Sequence, residues 1–215
     1  MIGNSRQLIV LAHGFFDNKK TMNYLESGLK SSGYSTFSVN LPTYLGTIDE
    51  CCFSLRAQID QLIKQYETVH FVAHSMGGLI IQKYLTGYIP CNLGNCVFIA
   101  TPNRGSKLAD IISFVPLVNK IFKSLNELKT DSEHSFNLRD LKTSTKIGII
   151  AGTKNNLITG KLFLSDKSDG RVEIESAKND FMHDYIEFYY GHREIHKQPE
   201  VLNAVKYFIN EAKFK

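Results

Sequence analysis

The sequence predicts a three-layer α/β/α sandwich around a mainly parallel sheet of about six strands. Three observations carry this. Short apolar runs alternate with stretches of helical periodicity from end to end, the pattern of a parallel sheet whose crossovers are helices. One run, with Val69, Phe71 and Val72, passes through Ala73-His74-Ser75-Met76-Gly77-Gly78-Leu79 straight into a helical pattern containing Leu79, Ile80 and Tyr84. The chain's 215 residues suit one domain with a sizeable core.

Taken in order, Gln7–Ala12 is the first strand. A helix follows with Met22, Leu25 and Leu29 at helical spacing and a stop at Gly33. Residues 36–41 form the second strand, closed by Pro42. Thr47 and Glu50 make a capping-box pair ahead of a helix with an apolar stripe of Leu55, Ile59, Leu62, Ile63 and Tyr66. Residues 69–73 are the third strand, 96–100 the fourth, 146–151 the fifth and 184–190 the last. Pro199, well suited to a first helical turn, opens a closing helix that runs to about residue 212 and buries Val201, Leu202, Val205, Phe208 and Ile209. With no repeat, low-complexity tract or linker, residues 1–215 read as a single domain.

The connection between the fourth and fifth strands is long for a simple crossover. Within it Leu108, Ile111, Ile112, Val115, Val118, Ile121, Phe122 and Leu125 recur at helical intervals, interrupted by Pro116. Two readings stand: core helices packed on the sheet, or a helical cap at residues 107–142 over a site.

Composition excludes several classes. A formal charge of +4 with scattered lysines describes a solvated basic surface and argues against a nucleic-acid partner. No apolar run approaches the ~20 residues needed for a bilayer span, so no integral membrane segment is expected. Leu8 to Ala12 reads as a core strand and not as the apolar part of a signal peptide, which points to the cytoplasm. Cys51, Cys52, Cys91 and Cys96 have no metal-ligand spacing. A Cys91–Cys96 bridge is conceivable, but free thiols fit a chain without a secretion signal.

The chemistry centres on Ser75. A strand, a tight turn carrying one serine, then a helix is the layout of a nucleophile elbow, whose sharp backbone demands small flanks. Here the flanks are Ala73 and Gly77, so the pattern reads A-x-S-x-G. A serine hydroxyl needs a base, and the base, a histidine, needs a carboxylate to hold its tautomer. In this layout the chain order is serine, acid, histidine. Downstream candidates are Asp166 and Asp169, then His183, His192 and His196. Asp169 is preferred because Gly170 lets the backbone turn the carboxylate inward, with Asp166 the runner-up. His192 is preferred because it follows an aromatic strand and a glycine. The string His192-Arg193-Glu194-Ile195-His196 is H-x-E-x-H, which matches no zinc-protease pattern, so no metal is expected. His13-Gly14-Phe15 ends the first strand, where a second oxyanion-hole amide belongs. The amides of Phe15 and Met76 are the candidates, with Gly14 allowing close approach. Phe15, Phe16, Phe114, Val115, Leu117 and Val118 are candidates for an apolar substrate pocket.

On Ser75, Asp169, His192 and His13-Gly14-Phe15 the chain resembles the α/β-hydrolase superfamily, specifically its small lipase-like members. The Ala73-His74-Ser75-Met76-Gly77 elbow is similar to that of small, lid-less bacterial lipases. Thr101-Pro102-Asn103-Arg104-Gly105-Ser106 is similar to a T-P-x-x-G-S stretch of many lipases. The resemblance runs from about Leu8 to Phe208, with little of it in residues 107–145 and 153–165. It implies a reduced α/β-hydrolase fold beginning at the superfamily's third strand, hydrolysis of a carboxylic ester through an acyl-serine, and no cofactor. The substrate would be a small-molecule or lipid ester. Two other readings remain open: an acyltransferase or amidase with the same triad, and a non-catalytic binding module on a hydrolase scaffold.

Overall fold

The computed structural model describes residues 6–113, 123, 127–130, 138, 141 and 144–215. Six strands, β1 (Gln7–Ala12), β2 (Ser35–Ser38), β3 (Thr68–His74), β4 (Leu93–Ile99), β5 (Ile147–Gly152) and β6 (Asp184–Phe188), form one sheet in the order β2-β1-β3-β4-β5-β6. Every neighbouring pair is parallel, with Leu11 opposite Val72 and Ile99 opposite Ile150. The central strands β1, β3, β4 and β5 are largely apolar and buried on both sides, as a parallel sheet covered on two faces requires, while the edge strands β2 and β6 are half-exposed.

Strand alternation divides the core in two. Leu8, Val10, Phe71, Phe98 and Ile149 face α2 (Ile48–Ile59) and α3 (Met76–Gly87), packing on Leu55, Ile80 and Tyr84. Ile9, Leu11, Val72, Val97 and Ile150 face α1 (Asn23–Lys30) and the C-terminal helix, meeting Leu25, Leu29, Val205 and Phe208. Shorter helices α4 (Lys107–Ser113), α5 (Ile158–Phe163) and α6 (Ile174–Ala177) precede α7 (Pro199–Glu211).

Element boundaries differ from expectation where side chains compete with the ladder. β2 stops at Ser38 because the chain then leaves β1: the Val39 amide still reaches the Leu11 carbonyl at 3.0 Å, but the Leu41 amide donates to the His13 ring. α2 carries the expected capping box and ends at Ile59, short of the apolar stripe's end; Ile63–Gln65 is a separate 3₁₀ turn. No disulfide joins Cys91 and Cys96. Among the described residues no helix is long and apolar enough to cross a membrane. Of the expected cap, α4 is described, whereas Phe114, Val115, Leu117 and Val118 lie outside the described residues.

Candidate active site

Ser75 stands between β3 and α3 with φ 55° and ψ −131°, a left-handed conformation that a non-glycine residue holds at a cost of roughly 1–3 kcal/mol. Its surroundings over-determine that geometry. The Ser75 amide donates to the Ile99 carbonyl at 2.9 Å, and its own carbonyl accepts from the Gly78 amide and the Thr101 hydroxyl. The small neighbours are needed for contact. A Cβ on Gly77 would sit 2.6 Å from the Ala12 and His13 carbonyl oxygens, and one on Gly14 would sit 2.8 Å from the Ser75 Cβ.

The loop after β6 brings His192 to the serine. Its Nε2 lies 3.0 Å from Ser75 Oγ and its Nδ1 2.7 Å from Asp169 Oδ2. These residues are 117 and 23 positions apart along the chain, and all three side chains are buried or nearly so: Ser75 9%, Asp169 1% and His192 5% exposed. Asp169 Oδ1 accepts the Arg171 and Val172 amides at 2.9 and 2.8 Å, which fixes the carboxylate's rotation. Gly170, with φ 89°, supplies the reversal that returns those amides to it. With Asp169 accepting, His192 Nδ1 is the donor and Nε2 is left to accept from the serine hydroxyl. The backbone of His192 is also tied down. Its amide donates to the Asp169 carbonyl at 3.0 Å, and its carbonyl accepts from His74 Nε2 at 2.9 Å.

The loop after β1 runs beside the serine. His13 is wholly buried; its Nδ1 donates to the Gly14 carbonyl at 3.1 Å and its Nε2 accepts the Leu41 amide at 3.0 Å. Burial holds its pKa below the usual histidine value, consistent with the neutral ring these two bonds require. Met76 opens α3, and first-turn amides have no acceptor within their own helix. The Met76 amide directly follows the serine at the positive end of the helix dipole.

Two clefts meet at Ser75 and His192. The larger, about 470 Å³, is walled by Pro102, Leu108, Ala109, Ile111, Leu128 and Phe163. The described part of the long connection therefore lines a cleft leading to the serine, while Ala109 and Leu128 also join the core. The smaller, about 290 Å³, is polar and includes Asp17, Thr21, His196 and Lys197. Phe15, Phe16, Arg171 and Arg193 border both.

None of the other candidates hydrogen-bonds Ser75 or His192. Asp166 is exposed on the loop surface. His183 accepts the Ile147 amide at the opposite end of the sheet from Ser75. His196, 1% exposed, stacks on His74 with ring centroids 4.1 Å apart. Burial and the nearby Lys197 and His192 push its pKa down to about 3. Glu194 points to solvent toward Lys154, and among the described residues no group of three or more His, Cys, Asp or Glu could hold a metal ion.

Sequence reasoning passed over His74, which occupies the unconstrained position of the elbow yet anchors the loop of His192. It also passed over Arg171 and Arg193. Their only signal was adjacency, since each sits within two residues of Asp169 or His192.

Comparison with known proteins agrees with this architecture. The model of the Alpha/beta hydrolase family matches residues 9–147, well over half of the chain. The chain belongs to that family. No curated protein matches it significantly. Among solved structures, it is similar to the mature form of Bacillus licheniformis lipase BlEst2, with TM-score 0.73 and 18% identity over 94% of this chain and 90% of that one. It is also similar to the metagenomic carboxyl esterase MGS0156, with TM-score 0.72 and 15% identity over 89% of this chain and 65% of that one. The ydeN gene product of B. subtilis aligns with TM-score 0.66 and 15% identity over 95% of this chain and 100% of that one. Identities this low establish a shared fold.

Proposed function

We propose that this alpha/beta hydrolase is a serine esterase or lipase that cleaves carboxylic esters through an acyl-serine. One observation carries the reading: an unbroken hydrogen-bonded path from Asp169 Oδ2 through both nitrogens of His192 to Ser75 Oγ, ending on a serine with φ 55°.

In this reading Ser75 Oγ bonds to the ester carbonyl carbon as His192 Nε2 takes the hydroxyl proton. The carbonyl π electrons move onto oxygen, and the amides of Phe15 and Met76 stabilise that oxyanion. Asp169 stabilises the imidazolium through Nδ1. Collapse breaks the bond to the alcohol oxygen, which takes the proton from Nε2 and leaves. Water, deprotonated by His192, then attacks the acyl-serine, and the second collapse returns the proton to Ser75 and releases the acid. No cofactor is needed. The apolar cleft takes the acyl chain, and Leu108, Ala109, Ile111 and Leu128, described residues of the segment expected to cap the site, line it and support that role. Phe16, with its ring 4.5 Å from that of Tyr44, borders the entrance.

The test is Ser75→Ala. It should abolish hydrolysis of a chromogenic butyrate ester and labelling by an active-serine phosphonate. Undiminished turnover in the variant refutes the reading, and a wild-type chain that neither hydrolyses esters nor takes the phosphonate leaves a binding module on a hydrolase scaffold.

A further inference from the structure

The two clefts that meet at Ser75 differ in kind. An ester held at the serine has two arms, and if its acyl chain lies along Leu108, Ile111 and Phe163, its alcohol arm enters the smaller cleft. That cleft is lined by Arg171, Arg193 and Lys197 against one carboxylate, Asp17. None of the three cations has a carboxylate within ion-pair distance among the described residues. Cations drawn to one concavity repel each other: burial first and Arg193 second lower the Arg171 pKa, against the attraction of Asp169 and Asp17. Nor do His74 and His196 add charge, since both are held well below the usual histidine pKa, chiefly by burial.

The cations are built in by the same backbone that holds the reacting groups. The Arg171 amide donates to Asp169 Oδ1, and Arg193 directly follows His192. His196, with 1% exposure, contributes its ring to the wall, and neither of its nitrogens makes a hydrogen bond of normal geometry, one merely leaning toward the Thr21 carbonyl. Along the lining, three cations less Asp17 leave a formal surplus of two positive charges, and the buried Asp169, which also attracts Arg171, brings the surplus around the cleft to one. A phosphate monoester carries about −1.5 to −2 at neutral pH and offers the oxygens that guanidinium groups grip in pairs.

We propose that the smaller cleft is a specificity subsite for a phosphate group on the alcohol arm of the ester, held by Arg171, Arg193 and Lys197. The substrate class is then an amphiphilic ester with an apolar acyl chain and a phosphorylated alcohol. This rests on the serine-esterase reading and extends it.

The experiment compares kcat/KM for two esters sharing one acyl chain, hexanoyl glycerol and hexanoyl glycerol 3-phosphate, in low salt. The phosphorylated ester should be preferred about tenfold or more, as charge-assisted hydrogen bonds allow. The preference should shrink in molar salt, where exposed charges are screened. In Arg193→Gln and Lys197→Gln the ratio should fall several-fold, and in Arg193→Glu it should drop further. Because each variant is read as a ratio between two esters, a general loss of activity does not imitate the effect. Equal rates for the two esters in the wild-type chain, or an unchanged ratio in the Arg193→Gln, Lys197→Gln double variant, overturns the proposal while leaving the esterase reading standing. A wild-type chain preferring a succinate monoester of hexanol over hexyl butyrate overturns it too, by moving the anion to the acyl arm. A preference for a carboxylated alcohol over the phosphorylated one refutes phosphate. Failure to hydrolyse either ester, with no phosphonate labelling of Ser75, sinks both readings together.

Discussion

Replacing Asp169 with asparagine changes no volume, only which atoms can accept a hydrogen bond. In the native chain Oδ1 takes the Arg171 and Val172 amides at 2.9 and 2.8 Å, and Oδ2 takes His192 Nδ1 at 2.7 Å. Asparagine offers a single oxygen. Turned toward the two amides, it keeps both backbone bonds and presents its NH₂ to His192. Turned toward His192, it leaves two buried N–H donors facing another donor, at about 1–3 kcal/mol each, or about 2–6 kcal/mol together. The first orientation wins. His192 Nδ1 must then accept, so its proton moves to Nε2, and Nε2 donates to Ser75 Oγ where a base is needed. Tautomer reversal of this kind costs on the order of 10⁴ in kcat, about 5 kcal/mol of barrier. The assay is kcat on a chromogenic butyrate ester, with urea unfolding measured in parallel. Because the two backbone bonds survive, stability should stay within about 1 kcal/mol. A folded Asp169→Asn variant whose kcat stays within about tenfold of the native value would falsify the tautomer argument, and with it the base role of His192.

Three other outcomes are expected. Gly77→Ala, which in an exposed helix would stabilise by about 1 kcal/mol, should instead destabilise by roughly 1–3 kcal/mol, because its Cβ meets two β1 carbonyl oxygens at 2.6 Å; an unchanged or raised urea midpoint contradicts this. Burial depresses the pKa of His70 from 6.5 to about 4 and that of His196 to about 3, so both are neutral when folded and bind protons when unfolded. Their stabilisation is complete above pH 6.5 and drains as pH falls toward 4, about 3 kcal/mol from His70 alone. Urea midpoints that hold constant from pH 7 to 4.5 count against it. In an acyl-chain series, kcat/KM should rise from acetate by up to about fourfold per methylene until the apolar cleft is filled. A steady fall from acetate to octanoate esters removes the acyl role of that cleft.

What could be read from the sequence was what local chemistry dictates. Val69 to Leu79 announces a strand, a strained turn and a helix within eleven residues because each part follows from its neighbours, and the structure has β3, Ser75 at φ 55° and α3 there. The unbroken apolar run of Leu8 to Ala12 required a strand covered on both faces, and the two core clusters take its residues alternately. Ranges drifted where a distant group intervened. β2 is short because the Leu41 amide answers the His13 ring, a partner 28 positions away that no window on residues 36–41 contains.

The sequence alone determined the fold class and the family and offered a short roster of candidate site residues, since periodicity, turn chemistry and the order serine, acid, histidine are all written along one dimension. Choosing among Asp166, Asp169, His183, His192 and His196 was an inference from neighbouring residues; the distances from Ser75 to His192 and from His192 to Asp169 arise only when loops after three different strands converge. The same holds for what sequence reading overlooked. His74 supports the carbonyl of His192 from 118 positions away, and Arg171, Arg193 and Lys197 are ordinary surface charges until folding gathers them at one cleft beside the serine. Charge convergence and cleft shape are properties of long-range packing, and a parallel sheet, whose neighbouring strands are joined only through crossovers, creates them at its C-terminal edge after the whole chain has folded.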